Sequence, residues 1–262
     1  MISTTLPRSE IGGLTAAIVG QGPPVVLLHG VGLRAEAWTR QIAGLEDTFR
    51  LIAPDLPGHG ASFCPAAAPS LAGYAALLLP LLKEVDQPVV LVGHSIGALI
   101  ALELVNASAG QIRAVAALNP VFERSPEAAE AVRARAAALD GKTLPDPEPT
   151  LSRWFSDDAS PERAACESWL RSVDPLGYKH AYSAFAEPDG PSRTKLAGVT
   201  CPTLFATGDR DPNSTPAMSR EMASLAPFGR SLIVEGAAHM MPLTHAERTN
   251  AALLALVRDA GI

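Results

Sequence analysis

The chain has 262 residues, 47% of them apolar and 18% charged, which is enough to bury a large core and excludes both disorder and a small disulfide-held scaffold. A net charge of -6 argues against a nucleic-acid binder, which carries a basic excess to neutralise phosphates. Three widely spaced cysteines, Cys64, Cys166 and Cys201, match neither a disulfide framework nor a CxxC site and read as packing residues in a reducing compartment.

The N-terminal twenty residues show no basic stretch leading into an apolar run and cleavage site. The longest apolar stretches, near 75–82 and 96–102, fall short of a membrane span, so a cytoplasmic protein without membrane contact is expected. Residues 14–19 read as edge-strand material, adding antiparallel strands to a sheet. Short apolar runs bounded by Gly, Pro and Asp then recur at 24–28, 50–53, 88–92, 112–118, 202–206 and 231–234. They are unbroken rather than alternating, the pattern of strands buried on both faces, and so predict a mainly parallel sheet. Helical patterns at 71–85, 96–107 and 218–225 fall between them, giving the strand–helix alternation of an α/β fold.

Residues 121–195 break this rhythm. They hold no convincing buried strand, are rich in Ala, Arg, Glu and Pro, and predict helices near 126–139, 161–172 and 176–186. A structureless loop of such length is out of place in a compact domain. The segment therefore reads as an inserted helical lid, with 1–120 and 196–262 forming the core. Three prolines within 145–149 predict a hinge or surface turn.

The run at 88–92 leads into Gly93-His94-Ser95-Ile96-Gly97, a Gly-x-Ser-x-Gly turn between strand and helix. Such a turn presents a serine in a strained conformation, with glycines where side chains would meet neighbouring backbone. It also sets Ser95 at a helix N-terminus, which favours developing negative charge. A serine hydroxyl needs a base to take its proton and an acid to orient that base. Among six histidines, His239 follows the last strand at the C-terminal edge of the sheet, where ligands of open α/β sheets collect; His245 is the weaker rival. The acid should follow the 202–206 run, in Gly208-Asp209-Arg210-Asp211-Pro212. Asp211 is favoured over Asp209, which its own turn can satisfy, and Glu123 is a distant third candidate. The segment Asp55-Leu56-Pro57-Gly58-His59-Gly60-Ala61-Ser62 reads as a structural turn beside the site.

These signatures, with His29-Gly30 after the first parallel strand, make the chain similar to the α/β-hydrolase superfamily along essentially its whole length. Within it the chain most resembles esterases and lactonases of the 3-oxoadipate enol-lactonase kind, through Trp154-Phe155 and Asp174-Pro175-Leu176-Gly177-Tyr178. The resemblance implies a triad of Ser95, Asp211 and His239, an oxyanion hole formed by the Val31 and Ile96 amides, and a helical cap over the site. It implies hydrolysis of a small-molecule ester or lactone through an acyl-enzyme, with no metal or organic cofactor. A serine at the elbow, where dehalogenases and epoxide hydrolases of this fold carry aspartate, favours acyl chemistry. The alternatives are carbon–carbon hydrolysis of a diketone-type ring-fission product and a low-turnover member that binds a small molecule; a homodimer stays open. Leu33, Arg34, Trp154, Tyr178 and Met240 are the candidate substrate-binding residues, with Trp38, Phe155, Trp169, Tyr182 and Phe185 as further aromatics of the pocket. Arg34 reads either as a solvent-exposed arginine or as a bidentate holder of a substrate carboxylate.

Overall fold

Residues that alternate across a strand point to opposite faces of a sheet. In Val25, Val26, Leu27 and Leu28 all four are apolar, and the two sets enter separate cores: Val25 and Leu27 on one face, Val26 and Leu28 on the other. The computed structural model describes residues 5–108, 110–155, 159–187 and 189–261. Its strands are β1 (Ser9–Ile11), β2 (Leu14–Val19), β3 (Pro24–Leu28), β4 (Arg50–Pro54), β5 (Val89–His94), β6 (Ile112–Leu118), β7 (Thr203–Gly208) and β8 (Gly229–Val234). They form one sheet in the order β1-β2-β4-β3-β5-β6-β7-β8. β1 and β2 pair antiparallel with their neighbours, and every other pairing is parallel. The expected α/β architecture is the one found.

Helices α1 (Thr39–Leu45), α2 (Leu71–Val85) and α3 (Ile96–Ala107) follow β3, β4 and β5. Between β6 and β7 the chain folds as α4 (Pro126–Ala137), α5 (Glu148–Phe155), α6 (Pro161–Leu170) and α7 (Pro175–Ala186), then the short α8 (Arg193–Ala197), which packs on α3. α9 (Pro216–Leu225), α10 (Met241–Thr244) and α11 (Ala246–Asp259) complete the chain. Several starts share one device. Ser125, Ser160, Asp174 and Thr215 each accept a hydrogen bond from the amide three residues on, and proline follows in the first turn. The cap satisfies an orphan amide, and proline costs nothing where no intrahelical donor is needed.

Two expectations are corrected. Residues 145–149 do not form only a turn, because α5 begins at Glu148, with Pro149 tolerated in its first turn. Among the cysteines Cys166 is buried, whereas Cys64 is exposed and is not a packing residue. No helix among the described residues is long and apolar enough to cross a membrane.

The helical segment between β6 and β7 meets the rest of the molecule at backbone distance. Gly58, in the loop after β4, lies against Gly177 of α7, so that a Cβ on Gly177 would collide with the Gly58 carbonyl oxygen. Alanine is the better helix former by about 1 kcal/mol, but a clash with backbone cannot be relieved by turning a side chain. Gly177→Ala should therefore destabilise the protein by about 1–3 kcal/mol, read as a lower urea midpoint with faster proteolysis within 121–195. A variant as stable and protease-resistant as the parent would show that this contact does not hold the insertion.

Candidate active site

At the end of β5 the chain turns so sharply that Ser95 adopts φ 57°, ψ -119°, a conformation costing about 1–3 kcal/mol for a residue with a side chain. The neighbouring glycines make the turn feasible. A Cβ on Gly93 would strike the Gly97 carbonyl, and one on Gly97 would strike the Leu28 carbonyl. Helix α3 thus starts directly against β3 and β5, with Ser95 preceding its first residue, Ile96.

β7 and β8 supply the partners. Gly208 ends β7 so close to the loop after β8 that a Cβ there would strike the Ala237 carbonyl, which brings Asp211 and His239 side by side. His239 Nδ1–H donates to Asp211 Oδ2 at 2.8 Å. The same oxygen accepts from Asn119 Nδ2 at 2.8 Å, and Oδ1 accepts from the amides of Asn213 at 2.9 Å and Ser214 at 3.2 Å. Burial works against the charge on Asp211, yet His239 and these hydrogen bonds outweigh it and hold the carboxyl below the usual carboxylate range. Ser95 and His239 both line a cavity of about 350 Å³ that also takes in Val31. Trp154 lies over the imidazole, with ring centroids 5.7 Å apart and an interplanar angle of 29°.

Three further histidines build the scaffold behind this group. His29 Nε2 accepts from the Leu56 amide at 2.9 Å while Nδ1–H donates to the Gly30 carbonyl. His59 Nε2 accepts from the Gly32 amide at 3.0 Å while Nδ1–H donates to the Pro57 carbonyl. The loops after β3 and β4 are thereby tied to each other, and Val31 is held between Gly30 and Gly32. Neither the Val31 nor the Ile96 amide finds an acceptor among the described residues. His94 Nε2–H donates to the His239 carbonyl at 2.8 Å and so fixes the loop that carries the imidazole. Burial lowers all three rings, His29 to about 4 and His59 and His94 to about 3. They are neutral struts.

The structure brings together Ser95, Asp211, His239, Val31, Trp154 and Tyr178, and the last two line the cavity along with Tyr182 and Phe185. Leu33, Arg34 and Met240 lie outside it. Leu33 and Met240 are each 1% exposed and belong to the apolar core. Arg34 Nε–H donates to Glu36 at 2.8 Å, within a carboxylate site shared with Arg8. A buried carboxylate left without its partners is expensive, and that need accounts for Arg34. Trp38 and Trp169 are packed in the cores, and Phe155 borders a different surface cleft. Glu123 pairs with Arg193 at 2.7 Å, on the surface. Asp209 accepts from the Gly236 amide rather than from its own turn, and His245 pairs with Thr244 at the surface.

Sequence reasoning missed Asn119, which directly follows β6 with φ 51° and buttresses Asp211. A polar residue at the C-terminal end of a central strand was the available signal. It also missed Arg124, Arg135 and Arg153, which line the cavity from the segment between β6 and β7. Among the described residues no group of three or more His, Cys, Asp or Glu gathers as a metal site.

A mostly parallel sheet with a strained serine on its central strand-to-helix turn, and a paired histidine and aspartate on the loops after the last two strands, defines a hydrolase type of α/β protein. A model described as the alpha/beta hydrolase family matches residues 25–252, and the chain belongs to that family. It is 38% identical over 259 residues to the (E)-2-((N-methylformamido)methylene)succinate hydrolase of Acinetobacter baylyi, covering 97% of this chain and 98% of the relative. It is 32% identical over 250 residues to the pimeloyl-[acyl-carrier protein] methyl ester esterase of Xanthomonas campestris pv. campestris, covering 90% and 95%. Among solved structures, a thermophilic esterase from Thermogutta terrifontis superposes with a TM-score of 0.85 at 26% identity, covering 97% of this chain and 99% of that one.

The neutral histidines make acid sensitivity predictable. Unfolded, each ring protonates near 6.5; folded, only near 3 or 4. The unfolded chain therefore binds more protons in that window, so stability is full above about pH 6.5 and falls as pH drops toward 4. At pH 5 unfolding should take up about three protons at these rings, a slope of ~4 kcal/mol per pH unit. Urea titrations at pH 7.5, 6 and 5 read this directly, and an unchanged midpoint would contradict neutral buried rings.

Proposed function

We propose that this chain is a serine hydrolase that cleaves the acyl bond of a small-molecule ester or lactone. The observation that carries the reading is the His239–Asp211 hydrogen bond, 2.8 Å, in one cavity with a serine held at φ 57°. Ser95 Oγ attacks the acyl carbon as His239 Nε2 takes its proton, and Asp211 keeps Nδ1 protonated and oriented. Asn119 holds Asp211 in place. The Val31 and Ile96 amides receive the charge on the tetrahedral oxygen, each such donor being worth about a hundred- to a thousandfold in rate. His239 then protonates the leaving oxygen and activates water to release the acyl-enzyme. Trp154 on the imidazole face excludes bulk water from the proton relay, and the helical insertion acts as the cap.

A second reading has the same residues cleaving an N-acyl bond. It is supported by the 38% identical relative, whose name describes a formamido substrate, whereas the methyl ester esterase supports the ester. A hydrolysis screen of p-nitrophenyl esters, lactones, N-acyl enamines and vinylogous diketones separates these from carbon–carbon cleavage.

Ser95→Ala should lower turnover by about a millionfold and abolish covalent labelling by a fluorophosphonate, while Asp211→Asn should cost about ten thousandfold. A folded Ser95→Ala protein that keeps parental turnover would refute the mechanism.

A further inference from the structure

Two carboxylates lie fully buried behind the loop that carries Val31, Asp55 and Glu36, and the proposed mechanism uses neither. Asp55 directly follows β4; its Oδ1 accepts from the Ala35 amide at 2.8 Å and its Oδ2 from the Ala61 amide at 2.9 Å. Glu36 comes five residues after Val31. Among the described residues the cations paired with these carboxylates are Arg8 and Arg34. Arg34 reaches Glu36 alone. Arg8 reaches both: Nη2–H donates to Glu36 Oε1 and Oε2 at 2.7 and 2.6 Å, and Nη1–H donates to Asp55 Oδ1 at 3.3 Å.

The sheet register delivers this side chain. Ser9 lies opposite Ala16, and Ala16 opposite Pro54, so β1 begins level with the end of β4. The residue before β1, Arg8, therefore meets the residue after β4, Asp55. Leu6, from the same segment, adds its amide to Glu36 Oε1 at 3.3 Å. The chain ahead of β1 thus straps the loops after β3 and β4 together.

The strap bears on the Val31 amide in two ways. The first is geometric. From His29 to Glu36 the chain is pinned at His29 by the Leu56 amide, at Gly32 by His59, at Ala35 by Asp55 and at Glu36 by Arg8 and Arg34. Arg8 is the group that ties Asp55 to Glu36. The second is electrostatic. Buried negative charge opposes any further negative charge forming nearby, because a low-dielectric interior screens it weakly. Arg8 and Arg34 bring the cluster to neutrality, and their charges reach toward Val31. Burial is the main cause that lowers the His29 ring to about 4, and the charges of Arg8 and Arg34 add to it against the opposing Gly30 hydrogen bond.

Resting on the serine-hydrolase reading, we infer that Arg8 is a positioning residue of the oxyanion hole: it fixes the loop carrying the Val31 amide and cancels the negative charge behind it. Such a residue acts on the tetrahedral oxygen and not on the bound ester. Its loss lowers kcat and kcat/KM together and leaves KM unchanged.

The test compares variants on p-nitrophenyl butyrate, with rates taken per serine titrated by a fluorophosphonate so that misfolded protein does not count. Arg8→Gln should lower kcat by about ten- to a hundredfold, less than the loss of a whole oxyanion donor, with KM within about twofold of the parent. Affinity for butylboronic acid should fall by a similar factor, since its tetrahedral adduct on the Ser95 oxygen places a boronate hydroxyl in the same hole while the serine proton passes to His239. Arg8→Lys keeps the charge but cannot bridge both carboxylates, and should fall between Arg8→Gln and the parent. Combining Arg8→Gln with Glu36→Gln removes the stranded charge, so this double variant should fold and also fall between them. Arg230→Gln, whose residue pairs with Asp259 at the far edge of the sheet, should keep parental kcat and boronate affinity. A folded Arg8→Gln protein with parental kcat, or with a raised KM as its sole defect, would overturn the inference and leave the hydrolase reading standing. A double variant with parental kcat would do the same even where Arg8→Gln alone does not fold. Boronate affinity that depends on Arg8, without turnover of any ester, would support the inference and overturn the ester reading. A parent protein that neither binds the boronate nor reacts with the fluorophosphonate would overturn both.

Discussion

The whole site depends on how closely α3 approaches the sheet. Gly97 lies against the Leu28 carbonyl and Gly93 against the Gly97 carbonyl, so the helix begins in contact with the ends of two strands. A side chain at either glycine would lift α3 away. Ser95 could then no longer hold φ 57°, and the loop after β3 would lose its position, since Gly30 itself has only 3.4 Å of clearance to Ser95 Cβ for an added carbon. The strain at Ser95, about 1–3 kcal/mol, is offset by the burial of α3, in which every residue from Ile96 to Leu102 is buried. Apolar burial in one helix thus maintains an unfavourable backbone at its N-terminus.

Around this point the protein is unusually polar for an interior. Asp55 is fully buried and accepts from the Ala35 amide at 2.8 Å, the Ala61 amide at 2.9 Å and Arg8. Glu36, also fully buried, takes Arg8 and Arg34. With His29 and His59 these carboxylates form the wall behind Val31. Every loop carrying a site residue is fixed by polar groups that water cannot reach, and satisfied networks of that kind favour one arrangement over many. The cost of breaking one is high for the same reason, which is why Arg34 is retained by Glu36.

The strands were legible because burial on both faces leaves unbroken apolar runs, and the runs at 24–28 and 112–118 match β3 and β6 residue for residue. The elbow was legible because close backbone approach demands glycine at fixed spacing around Ser95. The pocket was not. Leu33 and Met240 flank loops at the correct edge of the sheet, but their side chains turn into the core, and an apolar residue looks the same in sequence whether it faces a ligand or a neighbour. Helix periodicity shows which residues share a face, not what that face covers. Nothing in the sequence marked Arg135 of α4 and Arg153 of α5 as residues that line a cavity. Helix α5 was obscured because prolines at its start, read as a hinge, are compatible with a first turn.

The two halves of the site are not independent, and α5 joins them. Trp154 stacks on His239, and its carbonyl accepts from the Met240 amide at 3.5 Å, in the same loop as the imidazole. Arg153 precedes it by one residue and lines the cavity. The spacing between positive charge and imidazole is thus fixed by adjacent positions on one short helix. That helix is anchored from the other side by the Arg163–Glu148 pair at 2.6 Å, which ties its first turn to α6. A change that shifts α5 moves the Arg153 guanidinium and the ring stacked on the imidazole together.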